Sequence, residues 1–359
     1  NKQGEKKKSA AEHHHTLLGW ELSKLVNPRS IALLLVLFAV RCVIQESYFV
    51  PALTGDMVVY NNYMADITEL GGTPADAKQY IAEESAYISD TIAEYNEALL
   101  LYRKDKLPAE EYYEISSKYH YTEHVSGGFA KLMMKQSYLE YMSSQHENIG
   151  YVDEDGVNKF LFPDFDVIFV FVILFLFSDL FSSEYQSGFS SIQRLTRHGR
   201  KETGRAKYTA AILTVSAVWM VFTLADLLLL FLRFPMNGLG FGLMSIQDLG
   251  EIGWNLPVWA YIVLCRLCGL LGAVLLTVLA AGVSTVTGQN LKSVMILFVV
   301  LLAPYLLSVF GMTLFDAVNI RHLLYPILPD NLIHYILYAS AAVCLYAVGA
   351  RKWNGRRRK

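Results

Sequence analysis

The sequence lacks a phosphate-cradling loop. GxxxxGK followed by Ser or Thr occurs nowhere in its 359 residues, so the chain has no such loop of its own for ATP. HExxH and GxSxG are also absent, which removes the zincin and nucleophile-elbow patterns. Asp226 has no second aspartate at matching depth in an apolar run, which argues against an intramembrane aspartyl pair. Cysteines are few: Cys42, Cys265, Cys268 and Cys344 all fall in apolar segments. That placement fits neither a disulfide framework nor a zinc site, and Cys265 and Cys268 are read as helix packing. No cleavable leader is expected, because the first apolar run comes after about thirty largely polar residues. No role is assigned to His13, His14 and His15.

What is abundant is apolar sequence. Hydrophobic residues make up 53% of the chain, and mean hydropathy is +0.30. Six runs approach the ~20 residues that cross a hydrocarbon core of ~30 Å. They are Ile31–Val50, about Pro163–Phe181, Tyr208–Leu232, Val258–Gly282, Ser293–Met312 and Leu332–Ala350. Asp166 and Asp179 leave only Val167–Ser178 free of charge in the second. All six should be helical, since backbone groups in lipid must be satisfied within the segment. The expected fold class is therefore an all-α membrane protein: six transmembrane helices with a large helical extracellular domain between helices 1 and 2. In order, the expected segments are a tail with an interfacial helix (1–30), TM1 (31–50), the extracellular domain (51–162) and TM2 (163–182). A cytoplasmic coupling loop (183–207), TM3–TM6 (208–350) and a basic tail (351–359) follow.

Charge gives the expected direction. The N-terminal tail, the loops after spans two and four, and the C-terminal tail carry 19 of the 31 Lys and Arg residues. The loops after spans three and five hold little more than Arg233 and Arg321. Positive loops stay inside, so both termini are expected in the cytoplasm of a multi-pass cell-membrane protein.

Residues 51–162 hold 19 acidic and 8 basic residues. Tyr80, Ile81, Tyr87, Ile88, Ile92, Tyr95, Leu99 and Tyr102 recur at helical steps, opened by Pro74, with Pro108 closing the turn that follows. A second helix is expected from about Gly128 to Glu147. The thirteen tyrosines of this domain are read mainly as a small core whose hydroxyls reach water, with an aromatic ligand surface as the sharper reading. The excess negative charge would steer cationic ligands.

Arg41, Glu46, Asp226 and Arg266 fall within the runs, and charges at depth must pair or face a cavity. At ~1.5 Å per residue, Asp226, Arg266 and Arg41 lie ~10, ~12 and ~14 Å from the outer ends of their spans. Asp226 is therefore expected to pair with Arg266 or Arg41. Gly269, Gly272 and Gly282 allow close helix approach, and Pro304 should kink span five.

The segment after span two runs from Ser183 to Lys201 and places Glu184, Gly188 and then basic residues before the next span. Here the sequence resembles permease subunits of six-helix bacterial ATP-binding-cassette (ABC) exporters. Glu184, Gly188, Leu195 and Arg197 or Arg200 stand where the family has a Glu, a Gly four residues on, a Leu and an Arg-bearing turn. Arg197-His198-Gly199 departs from the family's Pro before the arginine. Two further segments are similar to family elements. Trp20–Arg29 looks like the interfacial helix before span one, and Leu323–Asn331 looks like the re-entrant segment before span six.

The resemblance implies a coupling helix that includes Glu184, Gly188, Arg194, Leu195, Arg197 and Arg200 and docks on separate ABC ATPase subunits. ATP and magnesium would then belong to those subunits, with no cofactor, metal or catalytic residue on this chain. It also implies a second permease chain, identical or paired, a surrounding lipid bilayer, no nucleic acid, and outward movement of a peptide or other amphipathic substrate, as in antimicrobial resistance. The alternative is a non-transporting receptor or scaffold whose outer domain binds a ligand or partner.

Overall fold

The computed structural model describes residues 16–49, 55–161, 167–193, 199, 201–312, 315 and 318–354. It is all-helical, with no named strand among the described residues. Six helical segments are long and apolar enough to cross a membrane, which makes the chain a multi-pass membrane protein.

Thr16 caps α1 (Leu17–Leu25) by accepting from Gly19 N. Asn27 then starts α2 (Pro28–Tyr48), the first span: its side chain accepts from Arg29 N and Ser30 N, and Pro28 takes the first turn. Only 11% of this span's apolar window is buried, so it stands at the edge of the bundle.

Between the first two spans lie α3 (Gly55–Glu69), α4 (Pro74–Tyr102), α5 (Ala109–Ser143) and α6 (Glu154–Leu161). α4 opens with a capping box between Thr73 and Asp76 and with Pro74 in its first turn. α5 starts nineteen residues before the expected Gly128 and runs through the Gly127-Gly128 pair. These glycines are contact points inside the helix. A Cβ at Gly128 would sit 2.6 Å from the Val59 side chain, and one at Gly127 2.4 Å from Asp56. Their small size lets α3 lie on α5. The domain core gathers Ile67, Ile81, Leu132, Leu139 and Tyr151 at the near end of the α4–α5 hairpin. Farther out, the hairpin is zipped by tyrosines: Tyr95 stacks on Tyr119 at 3.9 Å and Tyr102 on Tyr112 at 4.3 Å.

The second span, Val167–Gln186, is 67% buried in its apolar window and forms the bundle centre. Its α7 (Val167–Phe177) is apolar all round and mostly buried, with Phe175 left exposed. The chain turns at 178–181 and continues as α8 (Ser182–Gln186) and α9 (Phe189–Gln193). Expected residues 163–166 of this span lie outside the described residues.

α10 (Lys201–Arg233) is the third span and begins seven residues before the expected boundary, so 201–207 are helix, not loop. α11 (Val258–Thr287) is the fourth span and packs against α7, α10, α14 and α15. The fifth span has α12 (Asn290–Leu297), a π-helical turn at Phe298–Leu302, and α13 (Ala303–Val309). Pro304, expected to kink the span, lacks an N–H and crowds the carbonyl four residues back; the wider turn directly before it takes up that conflict.

α14 (Arg321–Leu324) and the chain up to Asn331 fold back against α11 before α15 (Leu332–Asn354), the sixth span. Gly269 and Gly272 permit this approach. Cβ atoms there would lie 2.4 Å from the Leu324 carbonyl oxygen and 2.3 Å from that of Leu323. Gly282 plays the same part against Leu345 of α15, at 2.9 Å.

Candidate functional site

Two clusters of buried charge stand out. The first joins α1, α8 and α10. Glu21 and Lys207 are 1% and 2% exposed, and Glu184 is 7% exposed. Lys207 Nζ lies 3.2 Å from Glu21 Oε2 and 2.8 Å from Glu184 Oε1, and it also donates to the Leu180 carbonyl at 3.0 Å. Lys24 Nζ completes the cluster at 3.1 Å from Glu21 Oε1 and 2.9 Å from Glu184 Oε1. Two carboxylates and two ammonium groups thus tie together three elements far apart in sequence. Removing one partner from such a buried set costs about 3–5 kcal/mol, because a charge is left uncompensated.

α8 is held from a fourth side. Ser284 Oγ on α11 accepts from Phe181 N at 3.1 Å and Ser182 N at 3.0 Å, satisfying donors that the turn after α7 would otherwise orphan. Gly188 then has φ +72°, a left-handed turn into α9. A Cβ there would meet nothing within 4 Å, so glycine is favoured by backbone conformation rather than space.

Glu184, expected in the coupling loop, lies against Lys24 and Lys207. Arg194, Leu195, Arg197 and Arg200 lie outside the described residues. The exposed large apolar groups of the connector are instead Phe189 (40%) and Ile192 (60%) on α9. Sequence reasoning missed them, although two apolar residues in a polar, basic segment were a readable signal. It also missed Glu21 and Lys207 as partners.

The second cluster lies within the spans. Of the two candidate arginines, Asp226 takes Arg41: the guanidinium meets the carboxylate in a two-pronged contact, both N···O distances 2.7 Å. Both side chains are almost fully buried, and Arg41 lies 4.7 Å from the centre of the Phe222 ring. Arg266 goes elsewhere. It donates to the Phe160 carbonyl and stacks 3.8 Å over the Phe160 ring, which ties the fourth span to α6. Glu46 pairs with Arg233 at 2.9 Å in an exposed contact.

Comparison of the chain with protein-family models, curated proteins and solved structures finds no match. The functional reading therefore rests on this chain's own residues.

The interspan domain is fixed to the bundle through a third set of contacts. Lys135 of α5 bonds Glu154 of α6 and the Ser245 carbonyl in the loop after the third span. Burial pushes its ammonium below the ordinary lysine value, while Glu154 opposes that shift. Asp153 accepts from Gly156 N and Met236 N. Burial raises its carboxyl above the usual aspartate range despite those two bonds. No group of His, Cys, Asp and Glu suited to a metal ion occurs among the described residues, and the four cysteines are free.

Proposed function

We propose that this chain is the transmembrane permease subunit of an ATP-driven ABC exporter that moves a peptide or other amphipathic substrate outward. The observation that carries the reading is the Glu21–Lys24–Glu184–Lys207 cluster. It joins the helix before the first span, the connector after the second and the start of the third into one unit. A push on α8–α9 would therefore be delivered to three elements together, which is what a coupling segment must do. Phe189 and Ile192 offer apolar contacts for a partner ATPase subunit, which would supply ATP and magnesium. A second permease chain would complete the path across the bilayer.

In this reading α1, the connector and the C-terminal end of α15 are cytoplasmic, and the α3–α6 domain is extracellular, as the distribution of Lys and Arg supports. The acidic, tyrosine-zipped hairpin favours one second reading, a receptor or scaffold that holds a ligand outside the cell.

Purification of the chain from its native membrane tests the choice. An exporter subunit brings down an ABC ATPase, and ATP turnover of the complex falls when Phe189 and Ile192 are changed to serine. Absence of any ATPase from the purified assembly would favour the receptor.

A further inference from the structure

Between the start of α10 and the end of α15 lies a cavity of about 170 Å³, well beyond the space that one water molecule needs. It sits where the third and sixth spans reach their ends. Part of its lining is aromatic: Tyr208 and Tyr346 meet edge to face at 4.9 Å, and Trp353 packs 5.2 Å from the Phe181 ring. Tyr and Trp are favoured at the boundary between lipid and water. Lys201 and Arg205 also line it, and both are exposed. Neither forms an ion pair with a described residue, and no described carboxylate lines the cavity. Four residues apart on one helix, the two cations are neighbours and repel each other. A bound anion would relieve that repulsion, and the arginine fork and lysine ammonium both suit a phosphate group. The flank of the cavity is apolar. Tyr346 is 42% exposed, and Val343, three residues before it on α15, is 66% exposed. An acyl chain attached to the phosphate can cover that flank, which a soluble phosphate cannot do.

We propose that this cavity binds the phosphate of an anionic phospholipid, with Lys201 and Arg205 as its donors. Basic pockets between membrane helices are suited to such headgroups. The inference needs no ATPase and stands apart from the exporter reading. A phosphatidylcholine headgroup carries its own cation, which offsets its phosphate, so it should bind less tightly than phosphatidylglycerol.

The test titrates the full-length, delipidated chain in detergent with phosphatidylglycerol or phosphatidylcholine, with inorganic phosphate as a soluble competitor, reading bound lipid by native mass spectrometry. Phosphatidylglycerol should bind about thirtyfold tighter than phosphatidylcholine, the effect of two cations at about fivefold each. Lys201→Gln and Arg205→Gln should each cut the preference about fivefold, and both together should bring the two lipids within about twofold of each other. The unfolding temperature should not change, since neither side chain has an ion pair to lose. Lys292→Gln removes an exposed cation from α12, away from the cavity lining, and should leave the preference in place. Equal binding of the two lipids by the unmodified chain would overturn the proposal. So would a preference that survives the double substitution, or one that Lys292→Gln reduces as much as Lys201→Gln does. Displacement of the lipid by an equal concentration of inorganic phosphate would overturn the lipid as the occupant.

Discussion

Replacing Asp226 with alanine would leave the Arg41 guanidinium buried between spans with neither of its two 2.7 Å contacts. At an effective dielectric of ~20, two unit charges about 4 Å apart attract by ~4 kcal/mol, and desolvation offsets much of that when both are present. Loss of one partner removes the attraction and keeps the desolvation cost. A destabilisation of about 3–5 kcal/mol is expected for either single change. Replacing both residues, Arg41→Met with Asp226→Leu, should cost far less, because no charge is stranded. The assay is reversible unfolding in mixed micelles, arranged as a double-mutant cycle. A charge swap sharpens it. Arg41→Asp with Asp226→Arg should recover stability lost by either single change. Arg266→Asp with Asp226→Arg should not, because Arg266 is committed to the Phe160 carbonyl and ring. Rescue through Arg266 but not through Arg41 would refute the pairing and the helix arrangement that produces it.

Three other outcomes follow from the packing and titration. Gly272→Ala should destabilise the bundle by about 1–3 kcal/mol, the usual cost of overpacking, since the added methyl lands on the Leu323 carbonyl; thermal unfolding checks it. Asp153 has its carboxyl raised above 3.8, so the folded state holds its proton to higher pH than the unfolded chain does. This group's contribution is full below 3.8 and is lost as pH rises through the folded value; unfolding of the Asp153→Asn variant should lack that decline. Lys207→Met should destabilise the junction of α1, α8 and α10 by about 3–5 kcal/mol, and Glu21→Gln made together with it should recover part of the loss. A cycle with no coupling between these two positions would contradict the cluster.

Much of the membrane plan was legible because hydropathy and span length are local properties. All six apolar runs became helices near their expected bounds, and Pro74 and Pro108 marked helix starts for simple steric reasons. The misplaced features share another cause. Gly127-Gly128 resembles a helix boundary in sequence, but its smallness serves the approach of α3, which no local pattern reveals. Lys207 counted as one more basic loop residue until Glu21 and Glu184 met it from other elements. For Asp226, depth alone left two arginines open, and the packing of α2 against α10 selected Arg41. The resemblance named Glu184 for the coupling loop, and its contacts with Lys24 and Lys207 depend on a tertiary arrangement that its neighbours in sequence do not specify.

The central claim is that the connector receives force from a separate ATPase. It is tested most directly by a photo-crosslinking residue placed at Ile192, exposed on α9, with Tyr113 on the far hairpin as the control. In native membranes, Ile192 should capture an ABC ATPase subunit and Tyr113 should not. Capture of that ATPase at Tyr113, or its absence at Ile192 and at the neighbouring Phe189 and Ser187, would contradict the account.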